Sequence, residues 1–236
     1  MDTNGRTNAA TATASSAVDA TDAGSLPGPA SFRTVTLEAA DPEATRGFLA
    51  ALGLDGTIGV RAASAASTGF RGFTLGITVS GPATVDGFVA SAVAAGATVL
   101  KPATKSLWGY GGVVRSPDGT IWKIATSARK DTGPATRTVD ELVLLLGVAD
   151  VKATRQFYTE RGLGVAKSFG GKYAEFTAAP DAPVKLALYK RRGLAKDLGV
   201  PEAGEGSHRV VLGGAPTPFT DPDGFLWEPA RTAPAA

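Results

Sequence analysis

Asp41-Pro-Glu-Ala-Thr-Arg-Gly-Phe48 recurs later in the chain as Asp150-Val-Lys-Ala-Thr-Arg-Gln-Phe157. Each copy follows a strand-like apolar run, Val35 to Leu37 and Leu142 to Leu146. Each is followed by Gly-Leu, at Gly53-Leu54 and Gly162-Leu163. Further on, Ser116-Pro-Asp-Gly-Thr-Ile-Trp-Lys-Ile-Ala125 recurs as Asp221-Pro-Asp-Gly-Phe-Leu-Trp-Glu-Pro-Ala230. Two motifs repeated in the same order at nearly constant spacing identify an internal duplication.

The repeated pieces have physical readings. Asp41 and Asp150 stand where a helix N-cap belongs, between a strand and apolar helical periodicity. Val151, Thr154, Phe157 and Tyr158 fall on one helix face, and Gly162 ends that helix. Each Pro-Asp-Gly is a tight turn, around which Tyr110–Arg115 and Thr120–Ala125 read as a hairpin. Between the landmarks the halves differ. The first is expected to hold a second helix, Pro82 to Ala95, with Val85, Phe88, Val89, Ala92 and Val93 on one face and Gly96 at its end. A strand begins at Thr98-Val-Leu100, and the segment Ala62 to Thr68 is weak. The second half reads as lacking that helix. It has strands near 165–169, 172–177 and 184–190, then passes from the strand His208–Leu212 to the last hairpin. Residues 127–138 read as the linker.

The chain has 236 residues, of which 43% are hydrophobic and 19% charged, a globular composition. Thirty glycines and fifteen prolines fit short strands joined by turns. A net charge of +2 gives no reason to expect a nucleic-acid partner, and Lys190-Arg191-Arg192 reads as a solvated strand end. The absence of cysteine excludes disulfides, thiolate catalysis and cysteine-based metal sites. No apolar run reaches the ~20 residues of a membrane helix. Residues 1–30 carry only Val18 and Leu26 as sizeable apolar groups and lack a secretory pattern, so they are expected to form a flexible tail on a cytoplasmic protein.

Strand, Asp-capped helix, Gly-Leu, strands and a Pro-Asp-Gly hairpin, occurring twice over residues 31–232, resemble the βαβββ motif of the vicinal oxygen chelate (glyoxalase/bleomycin-resistance/extradiol dioxygenase) superfamily. Lys105-Ser-Leu-Trp-Gly-Tyr-Gly-Gly112 leading into the first turn is similar to a segment of its glyoxalase-like members. The resemblance implies an α+β fold of two tandem modules, 31–126 and 139–232, whose curved mixed sheets form U-shaped clefts with the helices outside. It also implies a small-molecule ligand, and members range from metal-dependent lyases, isomerases and dioxygenases to metal-free sequestering proteins.

The resemblance places metal ligands on four strands. Val35 and Leu144 stand at the first-strand histidine position, and neither can ligate. Lys123 stands at the closing carboxylate position of the first half, which argues against metal there. In the second half His208, the only histidine, and Glu228 match ligand positions, while the position near Ala187 is apolar. Two ligands fall short of the three that a catalytic site uses, so no cofactor is expected; the alternative is an enzyme, a lyase, isomerase or dioxygenase using a divalent metal on His208 and Glu228 as its catalytic residues.

Weighed against simpler roles, Trp122 and Trp227 read as core residues under each hairpin. Trp108 and Tyr110, in a glycine-rich loop, are better pocket candidates. Gly109-Tyr-Gly-Gly112 precedes a strand and so is no phosphate loop. A Gly-Xaa-Ser-Xaa-Gly elbow is absent, and only His208 could serve as a base. Glu228 can also pair with Arg209 or Lys172, and a Glu175–Glu228 carboxylate pair rests on the assumed fold alone. The resulting expectation is a protein that binds an aromatic or anionic molecule, for resistance, sequestration or another binding role. Phe73, Trp108, Tyr110 and Lys123 would line the first cleft, and Tyr173, Tyr189, His208 and Glu228 the second. A non-catalytic scaffold whose clefts are filled by its own side chains is the further alternative. The halves are expected to pair within one chain as a monomer, with a homodimer as the alternative and no nucleic-acid or membrane partner.

Overall fold

The structure, a computed structural model, describes Met1 and residues 29–179 and 182–230. In the first half the elements are β1 (Thr34–Ala39), α1 (Pro42–Ala51), β2 (Ile58–Ala62), β3 (Ser67–Gly69), β4 (Phe73–Thr78), α2 (Pro82–Ala94), β5 (Thr98–Ser106), β6 (Gly109–Arg115) and β7 (Ile121–Thr126). The second half has β8 (Glu141–Val148), α3 (Val151–Glu160), β9 (Val165–Phe169), β10 (Tyr173–Phe176), β11 (Lys185–Lys190), α4 (Arg191–Leu198), β12 (Gly204–Gly206), β13 (Val210–Gly213), β14 (Phe219–Thr220) and β15 (Leu226–Glu228). Residues 127–138 carry no helix or strand.

Both aspartate caps form. Asp41 Oδ1 accepts from Ala44 N at 3.0 Å, and Asp150 Oδ1 accepts from Lys152 N and Ala153 N, satisfying donors that each first helical turn leaves open. The apolar faces then settle where the strands lie. In the eight-stranded sheet, order β5-β6-β7-β4-β8-β11-β10-β9, β4 and β8 meet antiparallel at the centre. Each runs parallel to the last strand of its own motif, β7 or β11. The sheet is therefore two βαβββ motifs set back to back, β4-α2-β5-β6-β7 and β8-α3-β9-β10-β11. The second sheet, order β14-β15-β13-β1-β2, joins the first strands of the chain to the last. Both sheets draw strands from both halves.

One core fills the space between the sheets. Phe48 of α1 packs on Trp122 of the large sheet with ring centroids 5.6 Å apart. Tyr158 of α3 touches Phe176 of the large sheet and Trp227 of the smaller one. Strand alternation sends Trp122, Ile124, Leu144 and Leu146 to this side. Lys123, Val143 and Leu145 consequently point to the opposite face, the cleft face.

Several expectations need correction here. The second half does have a second helix: α4 follows β11 directly. Its N-terminal residue Lys190 makes no side-chain cap, and its apolar positions are few, which hides it from periodicity. Nor do all helices lie outside the clefts. Leu194, Ala195 and Leu198 of α4 form a second buried cluster with Phe70, Val113 and Ile121, flanked by Leu145 and Tyr189, on the cleft face. Arg191, expected in a solvated strand end, donates to Phe70 O at 2.8 Å and lies over the Phe70 ring. Of the expected tail, residues 2–28 lie outside the described residues. Ala30 is buried, and its N–H donates to Arg161 O at 2.7 Å.

Candidate functional site

Alternation and a short helix together make a pocket. On the cleft face, Lys123 and Ala125 of β7 alternate with the core residues Trp122 and Ile124, and Gly111, Val113 and Thr78 lie on neighbouring strands. The small floor residues leave a cavity of about 460 Å³, bounded by Lys101, Thr104, Ser106 and Trp108 on one side and by Asp197 of α4 on another. Gly111 is required here by close approach: a Cβ would sit 2.8 Å from Ile124 O and 2.9 Å from the Ala125 Cβ.

Lys123 Nζ donates to Asp197 Oδ2 at 2.6 Å. Lys101 Nζ hydrogen-bonds the Asp197 carbonyl and donates to Lys196 O at 3.3 Å, which places a cation on the C-terminal carbonyls of α4. The pocket thus has two lysines and one carboxylate. Trp108 stands at its rim, 84% exposed, in the turn between β5 and β6.

The other first-half candidates are placed differently. Phe73 is buried in the core between the sheets, because it shares the parity of Leu75 and Ile77. Tyr110 contributes to the pocket wall, but its side chain runs to the helix side, where its hydroxyl donates to Asp86 Oδ1 of α2 at 2.8 Å. That bond raises its pKa, with burial and the Asp86 charge adding to the effect.

Tyr173 and Tyr189 are cross-strand partners on the cleft face of β10 and β11, with ring centroids 6.4 Å apart. Tyr173 donates to Glu175 Oε2 at 2.8 Å, and burial followed by the bond to Glu175 pushes its phenol well up. Tyr189 packs against α4 instead of open space. Neither lines the 460 Å³ cavity.

His208 and Glu228 do not meet. The ring nitrogens of His208 face the carbonyl oxygens of Arg71 and Asp223, and the ring stacks on Phe225 at 4.0 Å. Glu228, on the smaller sheet, receives Arg61 Nη1 on both oxygens at 2.9 and 3.0 Å. The same guanidinium donates from Nε and Nη2 to Glu38 Oε1 at 2.9 and 2.7 Å. Glu38 and Arg61 are register partners on β1 and β2. Arg61, not Arg209 or Lys172, is thus the partner of Glu228, and Glu175 lies on the other sheet. Arg61 has no counterpart among the repeated motifs, so periodicity offered no signal for it.

These donors do not fit a metal. Val35 and Leu144 are core residues, Lys123 projects a cation into the large cleft, and Arg61 bridges the carboxylates of Glu38 and Glu228 on the smaller sheet. Among the described residues no group of three or more His, Asp or Glu side chains could hold an ion.

No family model matches the sequence, and no curated protein does. Glyoxalase I from Zea mays is similar in structure with a TM-score of 0.52 at 13% identity, over 84% of this chain and 90% of that one. A V278E mutant of the same enzyme gives 0.51 at 12% identity, over 84% and 90%. A Bacillus subtilis protein described as a dioxygenase aligns over 80% of this chain and 71% of its own, at 11% identity and TM-score 0.46. The chain has the α+β fold of the glyoxalase, or vicinal oxygen chelate, superfamily. Among the described residues no helix is long and apolar enough to cross a membrane.

Proposed function

We propose that the protein binds a small aromatic anion in the cleft of the large sheet, without a metal in the site. The observation that carries this reading is the pocket itself. Its volume, about 460 Å³, falls in the range of small-molecule sites, and Lys123 and Lys101 stand against a small-residue floor with Trp108 at the rim. A lysine over an apolar floor selects an anion, and an exposed indole at the mouth adds a stacking surface.

Fluorescence tests it. Trp122 and Trp227 are fully buried, whereas Trp108 is exposed, so a ligand in this pocket quenches Trp108 selectively. Titration with 2-naphthoate should give saturable quenching, weakened in K123M and weakened also when neutral 2-naphthalenemethanol replaces the acid. Equal quenching of wild type and K123M by the carboxylate would remove the basis of the reading.

A second reading has one observation in its favour. Leu194, Ala195 and Leu198 already fill part of the cleft face, as in a scaffold that packs its own cleft. Absence of saturable binding by any aromatic anion would favour it.

A further inference from the structure

The C-terminal end of helix α3 borders a second cavity. Its volume, about 560 Å³, falls in the range of small-molecule sites, and it shares no residue with the cavity of the large cleft. Three separate segments wall it: the end of α3, the passage from β13 to β14, and residues 29–30 ahead of β1. Ala30 N donates to Arg161 O at 2.7 Å, which fixes the third wall to the helix end. Gly162 permits this approach, since its φ is 101° and a Cβ there would collide with the Pro29 side chain.

Two of the lining residues are charged, Glu160 and Arg161, and they stand side by side in the chain. Arg161 is partly buried and held in place before any ligand arrives. Its Cζ lies 3.4 Å from the centroid of the Phe157 ring and 5.2 Å from that of Phe219, and Nη1 donates to Phe157 O at 3.1 Å. Nε and Nη2 have no partner among the described residues, and together they form the edge of a guanidinium that grips a carboxylate through two parallel bonds. Glu160 does not pair with Arg161: it is exposed, and its Oε1 accepts from Gln156 Nε2 at 2.9 Å. The open carbonyl end of α3 adds partial negative charge on the same side as Glu160. Phe219 supplies an apolar wall, with one face stacked on Trp227 at 5.4 Å.

We propose that this cavity binds a free α-amino acid with an apolar side chain. The ligand carboxylate accepts from Arg161 Nε and Nη2, the ammonium group donates to Glu160, and the side chain lies against Phe219 and Pro216. A simple anion would suit Arg161 but meet Glu160 and the negative end of α3. A simple cation would suit those two and meet the guanidinium. A zwitterion carries both charges on neighbouring atoms and answers both groups at once.

Equilibrium dialysis of the full chain against three probes tests this: L-phenylalanine, 3-phenylpropionate, which lacks the ammonium group, and 2-phenylethylamine, which lacks the carboxylate. The wild type should bind L-phenylalanine more tightly than either of the others. R161M keeps an apolar contact with Phe157 and removes the fork, so it should weaken L-phenylalanine about tenfold or more and cancel its advantage over the amine. E160Q changes an exposed side chain at a helix end, and should cancel the advantage of L-phenylalanine over 3-phenylpropionate. No binding of L-phenylalanine by the wild type overturns the proposal, as does 3-phenylpropionate binding equally well. So does undiminished L-phenylalanine binding in R161M or, should that variant fail to fold, in E160Q.

Discussion

Lys123 Nζ lies 2.6 Å from Asp197 Oδ2, so the lysine that faces the pocket is already paired with a carboxylate of its own chain. The two side chains are 40% and 45% exposed, an environment in which an ion pair contributes little to stability. An incoming anion competes with Asp197 for the same ammonium group.

D197N should therefore strengthen binding of 2-naphthoate while changing unfolding free energy by less than about 1 kcal/mol. K123M should weaken binding with a similarly small effect on stability. Fluorescence titration and urea unfolding on the same samples separate the two effects. A D197N variant that binds more weakly than wild type would show that Asp197 takes part in binding.

Helix α4 sets the size of the pocket. Leu198 is fully buried beneath it, and L198A should cost about 2–5 kcal/mol, as large-to-small changes in packed clusters do. The cleft should widen at the same time, so that the affinity ratio of 9-anthroate to 2-naphthoate rises. An unchanged ratio would place the ligand away from α4.

Asp221 joins the second hairpin to α3: Tyr158 Oη donates to Asp221 Oδ2 at 2.6 Å and accepts from Trp227 Nε1 at 3.1 Å. Y158F removes the hydroxyl that accepts from the buried indole N–H and should cost about 1–3 kcal/mol in urea unfolding. Burial, the largest cause, raises the Asp221 pKa above 3.8 despite the bonds from Tyr158 and Phe225. The folded state thus holds this proton more tightly than the unfolded chain. Its stabilising contribution is complete below pH 3.8 and is lost as pH rises to the folded pKa. Stability of the wild type relative to D221N should accordingly fall from acid to neutral pH. A difference that rises with pH would contradict the assigned shift.

Arg61 stands between Glu38 and Glu228, so R61M leaves two carboxylates facing one another without a cation. A loss of about 1–3 kcal/mol is expected, since Glu38 is buried, Glu228 largely so, and each accepts from the guanidinium. R61M should also bind Mn²⁺ more tightly than wild type, in a way that E228Q added to R61M reverses. Electron paramagnetic resonance of free Mn²⁺ measures both. Tight Mn²⁺ binding by the wild type that depends on Glu228 would overturn the role given to Arg61.

Much of this fold is legible in local chemistry. Asp41, Asp150, the Pro-Asp-Gly turns and the buried Trp122 and Trp227 act within a few residues of themselves, and repetition makes them visible. Lys123 was readable because its neighbours alternate so regularly. Phe73 belongs to the core face, as the alternation of β4 itself shows: Phe73, Leu75 and Ile77 point to the core and Thr74, Gly76 and Thr78 to the opposite face. Tyr110 does contribute to the pocket wall, while its hydroxyl is held by Asp86 on α2, a contact no local pattern encodes. Pairing of His208 with Glu228 rested on matching strand positions. His208 precedes β13 in a segment turned by the left-handed Arg209, and ladder register does not govern where its ring points. Helix α4 and Arg61 act through contacts with distant residues, which no local pattern encodes.

Strand β1 is among the first elements of the fold to be made, and its antiparallel neighbour β13 is among the last: Thr34 pairs with Gly213. At a synthesis rate of about 5–20 residues per second, β1 waits roughly ten to forty seconds on the ribosome for that neighbour. For this interval its β13-facing edge is open, and an open strand edge is a template for wrong pairing. Because β1 and β15 flank β13 in the finished sheet, the start and end of the described fold lie close together. A circularly permuted gene beginning within residues 127–138 would bring β13, β15 and β1 off the ribosome almost consecutively. It would make the same sheets but hand the wait to β8, whose partner β4 at the centre of the large sheet would then follow it by more than half the chain.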